Sequence, residues 1–112
     1  MYSTRQNKVS RLIQKEIGDI FQRESNTFFP GYLVTVTVVR VTADLGLAKI
    51  YLSIFPSKNA GNVLKNIKTH QAHIRNELGK RIRNQLRIVP ELNFYIDDSL
   101  DYVEKIDNLL KE

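Results

Sequence analysis

The sequence predicts an α+β domain, a three-stranded mixed sheet with helices packed on one face, in the order α-β-β-α-α-β plus a C-terminal helix. The order of the local sequence patterns predicts this class. A β-branched run at 32–42 is followed by a second alternating segment, then by two successive helical patterns, and then by a short alternating segment before a last helical pattern. A chain of 112 residues has the length of one domain, so we expect a single domain over residues 1–112.

The first helix is predicted over residues 7–23. Its apolar residues recur every three or four positions, as on a helix that faces a core: Val9, Leu12, Ile13, Ile17, Ile20 and Phe21. Residues 25–31 break the pattern, because Pro30 and Gly31 favour a turn. We expect Phe28 and Phe29 to close one end of the core.

Residues 32–42 (YLVTVTVVRVT) and 48–55 (AKIYLSIF) are predicted as the strands of a β-hairpin, joined by a turn that contains Gly46. The apolar alternation changes phase around Val38 and Val39. A β-bulge at this point, or burial on both faces, would account for the shift.

Two helices are predicted next, with Ser57 as the N-cap of the first. A polar stretch at 69–73 interrupts the apolar stripe, which indicates a kink between them. The second continues into the basic stretch 74–91 (IRNELGKRIRNQLRIVPE), where we expect Pro90 to stop it. Residues 92–96 form a third strand, parallel to the second because the crossover is long. A closing helix is predicted over 100–111. Asp97, Asp98 and Ser99 precede it and mark its start.

Charge is strongly segregated along the chain. Residues 57–90 carry eight Lys or Arg against one acid, whereas residues 91–112 carry two against seven. This distribution favours a domain that binds a polyanion through a basic surface. A solvated basic helix packed near an acidic one is the alternative. The chain has no cysteine, signal peptide or transmembrane run, so we expect a cytoplasmic protein.

The αββααβ order resembles the layout of a type II KH domain, whose members clamp RNA with a GXXG loop between the paired helices. Residues 69–73 contain no glycine, which disfavours that clamp. A narrower resemblance, to the ribosome-binding factor A family, extends over nearly the whole chain. It is carried by QKEI at 14–17, VTVTVVRVTADLGLAKIYLS at 34–53, IRNELGKRIR at 74–83, LRIVPELNFYIDDS at 86–99 and KIDNLL at 105–110.

That resemblance implies a KH-like assembly factor without catalytic activity. Members of the family bind the immature small (30S) ribosomal subunit and its 16S rRNA, assist late rRNA processing and subunit maturation, support growth in the cold, and leave with help from a maturation GTPase. This chain departs from the family at the kink, where His70-Gln71-Ala72 replaces the usual Ala-x-Gly.

The predicted rRNA-binding surface is a basic patch that could neutralise phosphates. Its members are Lys65, Lys68, Arg75, Lys80, Arg81, Arg83 and Arg87. Arg87 could instead pair with Glu91 or with an acid of the last helix. The alternative function is a basic protein-interaction domain that docks on an acidic partner. We expect a monomer that acts without a cofactor or membrane.

Other side chains give weaker signals. The aromatic residues could stack on bases, but their alternating strand positions favour core or half-buried packing: Tyr32, Tyr51, Phe55, Tyr95 and Tyr102. His70, His73 and Glu77 share a helical spacing that could hold a metal, but they match no metal-binding motif. No nucleophile–base pattern or phosphate-cradling glycine loop occurs, so we expect no enzyme.

Overall fold

The computed structural model describes residues 3–97. Its elements in chain order are α1 (Thr4–Arg23), α2 (Ser25–Phe28), β1 (Leu33–Val41), β2 (Leu47–Phe55), α3 (Ala60–Thr69), α4 (Gln71–Ile82) and β3 (Glu91–Ile96). The predicted α+β class and the order up to β3 are confirmed, with the short helix α2 added. The closing helix predicted at 100–111 lies outside the described residues.

Helix α1 begins three residues before the predicted start because of a capping box. The Ser3 hydroxyl accepts a hydrogen bond from the backbone N–H of Gln6 at 3.1 Å, and the Gln6 side chain accepts one from the Ser3 N–H at 2.9 Å. The Gln6 amide also donates to the Val41 carbonyl at 2.9 Å. The buried Gln6 therefore lengthens the core-facing side of α1. A periodicity of apolar residues cannot predict this, because glutamine is polar.

The sheet has the order β1-β2-β3, with β1 antiparallel and β3 parallel to β2, as predicted. The register of β1 shifts between Val36 and Val38, so the expected bulge is centred on Thr37. The amide of Gln14 on α1 donates to the carbonyls of Val36 and Thr37, both at 3.3 Å. The helix thus satisfies polar groups that the irregular ladder leaves unpaired.

Buried residues alternate along all three strands, so the helices within residues 3–97 cover one face of the sheet; we call the other face, which no described helix covers, the open face. The core joins apolar side chains from α1, α4 and the covered face, among them Ile13, Leu78 and Ile50. Phe28 and Phe29 are both buried, which confirms their predicted role. Within residues 3–97, no helix combines the length and the apolarity needed to cross a membrane.

The predicted N-cap of α3 is wrong. Helix α3 begins at Ala60, and the residue before it is Asn59, with a φ of 64° and no side-chain capping bond. The carbonyl of Ser57 instead accepts a hydrogen bond from the Ala60 N–H at 3.1 Å. Ser57 therefore belongs to a turn that precedes the helix.

The predicted end of the basic helix is also wrong, because α4 stops at Ile82 and not at Pro90. The Ile82 carbonyl accepts from the N–H groups of both Gln85 and Leu86, which closes a turn. Residues 83–90 then form a loop that leads back along α4 to β3. Arg83 and Arg87 consequently lie on a loop and not on a helix face.

Candidate nucleic-acid interface

An open groove of about 910 Å³ runs beside α4, between the end of α3 and the loop that leads to β3. Four of the seven predicted basic residues line it: Lys68, Arg75, Lys80 and Arg83. The one acid in its lining is Glu91. We call this feature the basic groove. Its excess of cations gives the groove a positive charge, which favours a polyanionic ligand over a neutral one.

The groove exists because α4 presents small side chains on this side. Ala72 and Gly79 are seven residues apart, two turns of helix, and both line the groove. The Gly79 Cα lies close to the loop, since a Cβ built there would stand 3.2 Å from a methyl carbon of Val89. Larger residues at these two positions would fill the space between the helix and the loop.

Arg75 forms one wall of the groove and also holds the loop in place. Its Nε donates to the Pro90 carbonyl at 3.0 Å and its terminal nitrogen donates to the Val89 carbonyl at 2.7 Å. These bonds occupy part of the guanidinium fork and satisfy two backbone oxygens before β3. Arg75 therefore contributes positive charge to the groove while its position is fixed by the fold.

Arg81 points away from the groove and toward α1. Its guanidinium lies 2.5 Å from the Asp19 carboxylate and 3.4 Å from that of Glu16. The hydrogen bond from Arg81 lowers the pKa of Asp19, and the same bond raises the pKa of Arg81. The predicted patch member Arg81 is thus placed in an interhelical ion network, apart from the groove cations.

The other predicted cations are exposed. Lys68, Arg83, Lys65 and Arg87 form no ion pair within residues 3–97, and the anticipated pairing of Arg87 with Glu91 is not formed there. Lys80 lies 3.3 Å from Glu77, an exposed contact of the kind that exchanges readily with water. Lys65 and Arg87 lie outside the lining of the groove.

The junction between α3 and α4 is a single residue, His70, with a φ of −96° and a ψ of 13°. It confirms the predicted kink. The next side chain, Gln71, donates to the Leu92 carbonyl of β3 and so ties the junction to the sheet. A one-residue junction provides no loop that could wrap around a phosphate, so a ligand in the groove meets side chains instead.

The two histidines of this segment contact residues that do not line the basic groove. The ring of His70 lies 4.9 Å from that of Phe28, and its Nδ1 is 2.9 Å from the Asn66 carbonyl. The Nε2 of His73 is 3.0 Å from the Glu24 carboxylate. In the described part of the chain, no group of three His, Cys, Asp or Glu residues is arranged to hold a metal ion.

The aromatic residues are only partly packed as predicted. Tyr32 and Tyr51 are half-buried, and Tyr51 stacks on Tyr95 with ring centroids 5.3 Å apart. Phe55 is 71% exposed, so its predicted burial is wrong. It lies at the end of β2 opposite Leu33, on the open face, where none of the described helices covers it. Tyr102 lies outside the described residues. None of the four described aromatic side chains lines the basic groove.

Sequence reasoning missed the polar part of the groove. Thr69, Gln71 and Asn76 contribute to its lining beside the cations. A usable signal was present, because Ala72, Asn76 and Gly79 recur every three or four residues along one side of α4, away from its apolar stripe. Two small residues with an amide between them on one helical face indicate a surface that a ligand can approach closely.

Structures of ribosome-binding factor A are similar to this chain in fold. The crystal structure of ribosome-binding factor A from Thermus thermophilus matches with a TM-score of 0.69 over 85% of this chain and 97% of that chain, at 18% identity. A Thermus thermophilus ribosome binding factor A homology model, fitted into the cryo-EM map of its complex with 30S, matches with a TM-score of 0.62 over 80% and 91%, at 22% identity. At such identities, the likeness concerns the fold.

Sequence similarity identifies the family. The family model described as "Ribosome-binding factor A" matches residues 5–110. A protein of that name from Cytophaga hutchinsonii is 47% identical over 112 residues, which cover 100% of this chain and 84% of that protein. Both matches include the elements that build the basic groove. The chain therefore belongs to the ribosome-binding factor A family.

Proposed function

We propose that this chain binds the immature small (30S) ribosomal subunit and contacts its 16S rRNA through the basic groove. The observation that carries the proposal is the clustering of Lys68, Arg75, Lys80 and Arg83 around one open groove in a member of this family. The Thermus thermophilus homologue fitted into a 30S complex supports the choice of partner. Cytoplasmic action as a monomer, without catalysis or a cofactor, is part of the proposal.

The groove suits an RNA backbone better than a single bound phosphate. Its cations come from α3, α4 and the following loop, so they are spread along the groove and can each meet a different phosphate. Arg83 can also stack on an unpaired base or form a forked pair with a phosphate. Lys68, Lys80 and Arg83 supply the adjustable contacts, whereas Arg75 is held by the loop carbonyls.

Lys65 and Arg87 stand outside the groove lining and would extend the contact surface at its flanks. Arg81, although adjacent in sequence to Lys80, is engaged with α1. We therefore assign it an indirect part in rRNA binding, through the position of α4. The proposed interface is narrower than the run of positive charge in the sequence.

In the cell, the proposed role is late processing of 16S rRNA and maturation of the 30S subunit, including growth at low temperature. Release from the particle would depend on a maturation GTPase. A strain that lacks the protein should accumulate unprocessed precursor rRNA and grow poorly in the cold. Normal rRNA processing and normal subunit profiles at low temperature in that strain would contradict the cellular role.

Co-sedimentation with purified precursor and mature 30S particles tests the interface. Lys68, Lys80 and Arg83 are replaced together by Glu, and the matched control replaces Arg5, Lys8 and Arg11 on α1 by Glu. The two variants change the net charge equally, and all six residues are exposed. We expect the groove variant to lose binding and the α1 variant to retain it. Equal loss in both variants, or loss in neither, would overturn the assignment.

Binding to protein-free precursor 16S rRNA separates an RNA ligand from an acidic protein partner. If the groove binds rRNA, we expect the wild-type chain to bind the naked RNA with measurable affinity and the groove variant to lose that binding. If the wild-type chain binds particles but not naked RNA, while the groove variant binds neither, the groove docks on an acidic protein of the particle.

A further inference from the structure

The open face of the sheet presents apolar and aromatic side chains that no helix within residues 3–97 covers. Val38 is 36% exposed and Tyr95 is 38% exposed, and Tyr95 stacks on Tyr51 in the next strand. Arg40 and Lys49 are register partners on the same face. The centre of the face is thus apolar, and one end of it is basic.

Asp97 is the last residue that the structure describes, and it follows directly after β3. Its N–H continues the ladder by donating to the Leu52 carbonyl at 2.7 Å, while its carboxylate accepts from the Thr37 hydroxyl at 2.6 Å. Thr37 belongs to β1, so the Asp97 side chain reaches past the middle strand. Leu92 and Phe94 are buried, and alternation places Asp97 on the open side. The described backbone therefore ends in the ladder beside β2, with the Asp97 side chain lying across the open face.

The sequence that follows has the properties of a cover for this face. Residues 98–112 (DSLDYVEKIDNLLKE) contain five acids and two lysines. Their apolar residues recur at a helical spacing: Leu100, Val103, Ile106 and Leu110. As a helix, fifteen residues would span about 22 Å, which is shorter than a nine-residue strand at about 30 Å. The family match extends through residue 110, so nearly all of this segment belongs to the region that the family model describes.

Charge selects the direction in which the segment would run. Asp97 lies beside Leu52, near the middle of β2. The register partners Arg40 and Lys49 lie closer than Leu52 to the start of β2. An acidic segment is attracted to that end. The opposite end of the face carries Leu33 and Phe55, which are 66% and 71% exposed and uncharged.

We propose that residues 98–112 pack on the open face of the sheet, with their apolar stripe over Val38, Tyr51 and Tyr95 and their acids beside Arg40 and Lys49. The segment runs back from Asp97 toward the start of β2 and leaves the Leu33–Phe55 end uncovered. It thereby occupies the one face of the sheet on which stacked tyrosines and neighbouring cations would otherwise offer a second site for single-stranded RNA.

Cysteine pairs test the proposal in the 112-residue chain, because its sequence contains no cysteine. Val38→Cys is combined in turn with Val103→Cys, Ile106→Cys and Leu110→Cys, and a short bismaleimide linker is added at low protein concentration. The matched control places the first cysteine at Leu33, on the same strand and face. Circular dichroism and thermal unfolding confirm that each variant retains the fold.

We expect at least one Val38 pair to crosslink within the monomer several-fold faster than the corresponding Leu33 pair. Equal rates at Val38 and Leu33, or no intramolecular crosslink from any of the three segment positions, would overturn the proposal. Crosslinked dimers whose yield rises with protein concentration would assign the face to a second copy instead. Protection of the Val38 cysteine by single-stranded RNA alone would assign it to RNA.

A second measurement uses the Lys49→Glu variant, which reverses one exposed cation of the face. It should slow the Val38 crosslink and leave the Leu33 rate unchanged. An unchanged Val38 rate would contradict the charge-directed packing. Ribosome binding is not a readout in either experiment, so failure of this inference and failure of the proposed function are distinguishable.

Discussion

The Arg81 guanidinium of α4 lies 2.5 Å from the Asp19 carboxylate of α1, and the Arg81 side chain is 25% exposed. Lys80, its neighbour in sequence, faces the basic groove. Two consecutive cations therefore serve different purposes, one joining two helices and the other facing solvent. This divergence follows from the helical rotation of about 100° per residue.

Replacement of Arg81 by Ala should reduce the free energy of unfolding by about 1 kcal/mol, because the ion network and the packing of the side-chain stem are both lost. Urea unfolding measures the change. Arg23→Ala is the control, since Arg23 also contacts Asp19 but is 71% exposed. A cost at Arg81 no larger than that at Arg23 would contradict a structural role for the interhelical contact.

The lowered pKa of Asp19 predicts a dependence of stability on acid pH. Because the folded-state pKa lies below the ordinary value of 3.8, the contribution is fully present above that value and is lost as the pH falls through the lowered one. Unfolding of the Asp19→Asn variant should therefore converge with that of the wild type in this acid range. A stability difference that persists unchanged at the lowest pH would contradict the assignment.

Lys80→Gln and Arg81→Gln form a matched pair for rRNA binding, because they remove the same charge at adjacent positions. We expect Lys80→Gln to reduce the slope of log affinity against log salt by about 1, as for one lost phosphate contact. Arg81→Gln should leave the slope unchanged while lowering the thermal midpoint. Filter binding to a 16S rRNA fragment at several salt concentrations measures the slopes, and equal slopes would refute the division of roles.

Arg75 should be intolerant of a change that preserves its charge. Arg75→Lys retains the cation but cannot reproduce both hydrogen bonds to the carbonyls of Val89 and Pro90. We expect a loss of roughly 1–2 kcal/mol in the free energy of unfolding and faster amide exchange in residues 83–90. Lys68→Arg serves as the neutral control. Wild-type exchange in the loop of Arg75→Lys would show that other contacts hold it.

Gly79 and Gly18 are both helical but differ in their surroundings. A Cβ at Gly18 would meet nothing within 4 Å, so Gly18→Ala should stabilise α1 by about 0.5–1 kcal/mol. At Gly79 the same change meets Val89 at 3.2 Å, so the gain should be smaller in the wild type than in a Val89→Ala background. A double-mutant cycle measures the coupling, and additive effects would contradict the close approach.

The sequence predicted the elements whose signals are local. Val-Thr alternation identified β1, the interrupted apolar stripe identified the junction at His70, and the phase shift located the bulge near Thr37 within two residues. It placed the end of α4 at Pro90, eight residues too late. Proline shows where a helix cannot continue, but the earlier end is closed by the turn at Ile82 and by the Arg75 bonds to the loop.

For the site, the sequence determined that a concentration of positive charge lies between residues 57 and 90, because composition is independent of folding. Only the tertiary structure decided which cations share a surface. Arg81 faces α1, Arg75 holds a loop, and Lys68, Lys80 and Arg83 surround a groove that Ala72 and Gly79 leave open. The physical reason is that long-range packing fixes the partners of each guanidinium and ammonium group. A charge satisfied within the fold is less available to a ligand than one that faces solvent.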